Sequence, residues 1–112
     1  MTVTLRTRDM NPPLQVMGAT PDATCPLAVT LAHIYDHDTS RWHVHSLGGY
    51  YVTHRPTGWQ LGGVRFGSVQ EGLDVIERAD WRFPAWAAAN GGDRDPATLA
   101  CKVKWRAATE LG

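Results

Sequence analysis

The sequence predicts an α+β domain: an antiparallel β-meander of four to five strands packed against one capped helix, with a helical C-terminal segment. Three observations carry this expectation. Between residues 27 and 66, short runs rich in β-branched and aromatic residues alternate with turn chemistry. Ser68-Val69-Gln70-Glu71 then spells a capping box ahead of apolar residues at helical spacing. Asp95-Pro96 opens a second helical run. A chain of 112 residues holds one core, so a single domain over 1–112 is expected. It divides into an N-terminal strand with an irregular connection (1–26), the sheet with its helix (27–80) and the helical segment (81–112).

Thr2 to Arg8 alternates, with Val3 and Leu5 on one side, and reads as a short strand broken by Asn11-Pro12-Pro13. Residues 14–26, carrying Gly18, Pro21 and Pro26, read as an irregular connection. Ala28 to Tyr35 reads as a strand, and Asp36-His37-Asp38-Thr39-Ser40 as a turn whose short polar side chains bond their own backbone. Arg41 to Ser46, Tyr50 to Arg55 and Trp59 to Phe66 follow as strands, joined by Leu47-Gly48-Gly49 and Pro56-Thr57-Gly58. A bulge at Gly62-Gly63 brings Trp59, Leu61, Val64 and Phe66 to one side. The expected buried face then joins these four to Trp42, Val44, Tyr50 and Val52.

The helix from Val69 to Ala79 turns Val69, Leu73 and Ile76 toward the meander. Gly72 costs it up to about 1 kcal/mol relative to Ala, which points to a close contact there. Pro84 to Ala89, stopped by Asn90-Gly91, reads as a short helix. In the last helix Asp95 is the N-cap, and Leu99, Val103 and Ala107 mark the expected inner stripe.

Eleven Lys+Arg balance eleven Asp+Glu, which excludes a globally basic nucleic-acid coat and an acidic solvating tail. No apolar run approaches the ~18 residues of a membrane span, so no membrane partner is expected. The start, Met1 to Arg6, lacks the apolar centre of a signal peptide, and a cytoplasmic location is expected. Cys25 and Cys101 either pair, which requires Cα atoms within about 7 Å, or pack as reduced thiols. There is no C-x-x-C, G-x-S-x-G or P-loop, so no catalytic residue and no cofactor is assigned.

All five histidines, His33, His37, His43, His45 and His54, lie within one stretch. His43 and His45 share a strand face and are the candidate metal ligands, the basis of a third reading as a metal-dependent enzyme. From Thr39 through Gln70 there is no Asp or Glu. If Trp42 and Val44 face the helix, the open side of the sheet carries Arg41, His43, His45, Tyr51, Thr53, Arg55 and Arg65. Forked guanidinium donors and flat rings suit phosphate oxygens and bases, so these seven are the expected nucleic-acid-binding residues. Trp81, Phe83 and Trp86, mixed with Arg82, offer an alternative protein-binding patch, or else they plug the end of the core.

Thr53 to Gly58, the strand to Phe66, and Ser68 to Leu73 resemble short uncharacterised proteins of actinobacteria and their phages. The preference for Arg over Lys suits a GC-rich genome of that kind. The strand-meander-plus-helix order also looks like the arm-type DNA-binding domains of tyrosine recombinases. That resemblance implies a three-stranded sheet laid in the major groove, with Arg41, His43, Tyr51, Thr53 and Arg55 as readers. The leading expectation is therefore a non-enzymatic, phage-like accessory protein that binds nucleic acid through its open sheet face. The alternative is a modulator or inhibitor of a host protein. The oligomeric state stays open, a homodimer included.

Overall fold

The computed structural model describes residues 1–110. The chain runs β1 (Thr2–Leu5), β2 (Leu14–Ala19), β3 (Leu27–Leu31), β4 (His33–Asp36), β5 (Arg41–Val44), β6 (Tyr50–His54), β7 (Trp59–Phe66), α1 (Val69–Arg78), α2 (Ala85–Ala88) and α3 (Pro96–Glu110). The fold is α+β. A five-stranded sheet has the order β1-β2-β3-β6-β7, and every neighbouring pair is antiparallel.

β4 and β5 form a separate two-stranded arm rather than central strands of the meander. The expected strand from Ala28 to Tyr35 breaks at Ala32. Its N–H donates to Gly49 O and its carbonyl accepts from His45 N–H, so the three residues between His45 and Gly49 loop out opposite Ala32. Arg65 fixes that loop by donating to the carbonyls of Leu47 and Gly48.

α1 covers one face of the sheet. Ser68 accepts from the Glu71 N–H at 3.2 Å, while the Glu71 carboxylate reaches back to the Gly67 N–H, one residue further than the usual capping box. Val52 and Phe66 are buried beneath this helix, with Tyr50, Leu61 and Val64 packed against them. The ladder slips between Tyr50 and Val52, so β7 bulges through Gly62 and Gly63 as its sequence parity requires. Gly72 lets α1 sit directly on β3: a Cβ there would lie 2.7 Å from Val29 Cγ2.

The sheet's other face is not open. Residues 14–19, expected as irregular, form β2, which pairs with β1 over four residues and with β3 at Gly18 and Ala19. β1 starts beside Gly18, where Gly18 N–H donates to Met1 O, and ends with Arg6 N–H donating to Gly58 O beyond β6. It therefore folds back over the face opposite α1, and Val3 and Leu5 are sealed there. Ala28, Thr30 and Thr53 are buried on that side, and the two threonine hydroxyls satisfy each other at 2.8 Å.

In α3, Asp95 caps by accepting from the Thr98 N–H and hydroxyl. The expected inner stripe is displaced. Leu99 and Val103 are 47% and 70% exposed, Ala107 is exposed, and the packed positions are Ala97, Thr98, Cys101, Trp105 and Ala108. Small residues let α3 close on the Ala-rich α2. Cys25 and Cys101 are both buried free thiols. No helix among the described residues is long and apolar enough to cross a membrane.

Candidate binding cleft

The seven residues expected on an open sheet face do not share one surface. Arg41 and His43 are exposed on the arm, where His43 Nε2 lies 3.6 Å from Asp36 Oδ2 and 3.1 Å from Thr39 Oγ1. His45 lies beyond β5, and its ring meets Tyr51 edge-on at 6.1 Å while Nδ1 accepts from the Leu47 N–H. Thr53 is wholly buried and can touch no partner. Arg55 donates to the carbonyls of Ala23 and Cys25, and Arg65 clamps the loop after β5; both guanidiniums serve the protein's own backbone.

The other two candidate sites are also reassigned. Trp81 and Trp86 are 8% and 2% exposed, with indole N–H groups donating to Glu77 and to the Ala79 carbonyl. Phe83 packs on the same core under Lys104, so Trp81, Phe83 and Trp86 close the end of the core rather than present a docking patch. Among the described residues no three His, Cys, Asp or Glu side chains come close enough to hold a metal, and His43 and His45 have no third ligand.

What the fold builds instead is a cleft of about 450 Å³ beside the edge strand β7. It is lined by the loop after β1, the arm, the end of β6 and its turn, β7, α2 with the loop that follows it, and α3. Trp59 of β7 forms one side. Behind its ring lies Gly91, at φ +82°, where any Cβ would meet the indole at about 2.0 Å. Only glycine tolerates both that backbone and that contact. The Arg8 guanidinium lies over the same indole, 4.8 Å from the ring centroid. Trp42 and Tyr35 of the arm form another side, their rings edge-to-face at 5.4 Å. The Trp42 indole N–H is anchored on Pro12 O, and Gln60 brackets the arm by accepting from the His33 N–H and donating to its carbonyl.

His54 lies at the cleft floor, 4% exposed. Its Nε2 lies 2.6 Å from Trp86 O, which can only accept, so Nε2 carries the proton and Nδ1 accepts from Thr57 Oγ1. Burial pushes its pKa below the usual imidazole value, against the raising effect of the Trp86 carbonyl. Both ring nitrogens are committed, so His54 pins α2 to β6 rather than moving protons. Cys101 also lines the cleft, and burial, aided by Asp95, raises its thiol pKa to about 11.

The cations at the cleft are Arg6, Arg8 and Lys102. Their pattern was hidden in the sequence because Lys102 stands more than ninety residues from Arg6 and Arg8. Trp42 and Trp59 were assigned to the buried face by parity, yet both are half-buried here. Aromatic rings and three cationic side chains thus line one cleft. Comparison with protein-family models, with curated proteins and with solved structures finds no match to this chain, so the resemblances noted above rest on local motifs alone.

Proposed function

We propose that the chain is a non-enzymatic binding protein for single-stranded nucleic acid, taking an unstacked base into the cleft lined by Trp59, Trp42 and Tyr35, against the Arg8 guanidinium that lies over the Trp59 indole. One observation carries the reading: half-buried aromatic rings and three cationic side chains line the same cleft. Stacking on an aromatic wall contributes on the order of 1–3 kcal/mol per base and tolerates any base. Arg6, Arg8 and Lys102 supply donors for the phosphates on either side. A duplex is disfavoured, because its bases are already paired and stacked and cannot enter the cleft singly. The neutral net charge fits a short footprint rather than a coating protein.

The test is quenching of tryptophan fluorescence by a thymidine oligonucleotide, a matching duplex and a free mononucleotide. The expected order is single strand, then mononucleotide, then duplex. The single-strand affinity should fall with salt at a logarithmic slope of roughly −1.5 to −2, the value for two to three phosphate contacts. Trp59→Ala should remove binding. Absence of binding at low ionic strength, or equal binding of duplex, overturns the reading.

A further inference from the structure

We propose that the Asp93 carboxylate occupies, in the free protein, the place of the ligand's phosphate, and that binding displaces it. The inference rests on the single-strand reading above and names how that site is held until ligand arrives. Asp93 Oδ1 lies 3.4 Å from Lys102 Nζ and 3.9 Å from Arg8 Nη1. Both cations line the cleft, and Asp93 sits outside them on the loop between α2 and α3. A single anion between a guanidinium laid on an indole and an ammonium is the arrangement a nucleotide's phosphate would complete.

Two neighbouring polar side chains, Asn90 and Asp95, bond to nearby backbone instead. Asn90 Oδ1 accepts from the Gly92 N–H, and Asp95 Oδ2 accepts from the N–H groups of Asn90 and Thr98. Asp93 makes no bond to backbone; its partners among the described residues are the two cations. Its side chain is 75% exposed, so the carboxylate can swing into water without disturbing the fold. Exposed ion pairs hold weakly, so release is cheap and the competition modest. Asp93 thus keeps Arg8 and Lys102 placed for an anion while lowering the affinity for it.

The experiment compares wild type, Asp93→Asn and Asp74→Asn by fluorescence titration with the thymidine oligonucleotide, thymidine monophosphate and thymidine. Asp74→Asn makes the same charge change on the exposed side of α1, away from the cleft. The expected result is binding of the oligonucleotide and the monophosphate about three- to tenfold tighter in Asp93→Asn alone. That gain should shrink as salt is raised, and thymidine should show none. An Asp93→Asn protein that binds no tighter, or an Asp74→Asn protein that gains equally, overturns the inference while leaving the cleft reading intact. Failure of wild type and both variants to bind any of the three overturns the cleft reading itself.

Discussion

His54 ties β6 to α2 through a buried hydrogen bond to the Trp86 carbonyl. Its burial was not drawn from the sequence, which grouped it with four other histidines, though it was detectable: the alternation that buries Val52 also buries residue 54, and Leu27 opposite it is fully buried. Its partner was not, because Trp86 lies 32 residues on and approaches through the packing of α2. The burial that depresses the His54 pKa also makes the fold sensitive to acid. The unfolded chain takes up the proton first as pH falls, so this contribution is complete above about pH 6.5 and is lost as pH drops below it. Urea midpoints taken between pH 7.5 and 5 should fall, with a limiting slope of at most about 1.4 kcal/mol per pH unit. His54→Gln should remove that part of the slope; an unchanged slope would assign it to other groups.

Arg55 belongs to the same scale. The sequence placed it on a binding face because nothing near it in the chain is acidic. The structure gives it the carbonyls of Ala23 and Cys25, which hold the β2–β3 connection against β6. Arg55→Ala should therefore cost about 1–2 kcal/mol in equilibrium unfolding and leave nucleic-acid affinity unchanged. Weakened binding with unaltered stability would restore it to an interface.

Elements were easier to foresee than their partners. The strands β6 and β7, the bulge, α1 with its cap and the start of α3 all follow from local pattern, since each is specified by spacing within a dozen residues. β2 was hidden by Gly18 and by the prolines near it. That glycine is required by the packing, because a Cβ there would lie 2.7 Å from Val3 Cγ2. With β2 unforeseen, β1 had no route over the sheet, and the face bearing Thr30 and Thr53 looked open. The phase of α3 was misread because Leu and Val outrank Ala, Thr and Cys in hydrophobicity. Close approach to α2 selects small side chains instead.

Two elements make sharp predictions. Gly72→Ala improves helix propensity by up to about 1 kcal/mol. It also drives a methyl group into Val29, so the net result in denaturant titration should be a loss of about 1–3 kcal/mol. A gain in stability would show that α1 and β3 are not in the contact described. Gln60→Ala removes both bonds that bracket His33. Hydrogen exchange should then quicken through β4 and β5 but not through β3 and β6, and oligonucleotide affinity should fall as Trp42 loses its fixed place. Unaltered exchange in the arm would mean that Pro12 alone holds it.

At the scale of the whole molecule, the cleft exists only because distant segments meet. The loop after β1 brings Arg8, the arm brings Trp42 and Tyr35, β7 brings Trp59, and α3 brings Lys102. No single stretch carries a signature for it. The acid-free run from Thr39 to Gln70 did point toward an anionic partner, but two of its three arginines are turned to backbone carbonyls. The useful charge comes from either end of the chain.

The five tryptophans offer a direct test through their indole N–H resonances in a two-dimensional ¹⁵N spectrum recorded while a thymidine oligonucleotide is added. Trp42, Trp59, Trp86 and Trp105 line the cleft, whereas Trp81 lies outside it and bonds to Glu77. The cleft account requires the Trp42 and Trp59 resonances to move with saturation while that of Trp81 stays fixed. A shift confined to Trp81, or no indole shift at an oligonucleotide concentration that saturates binding by another method, would contradict it.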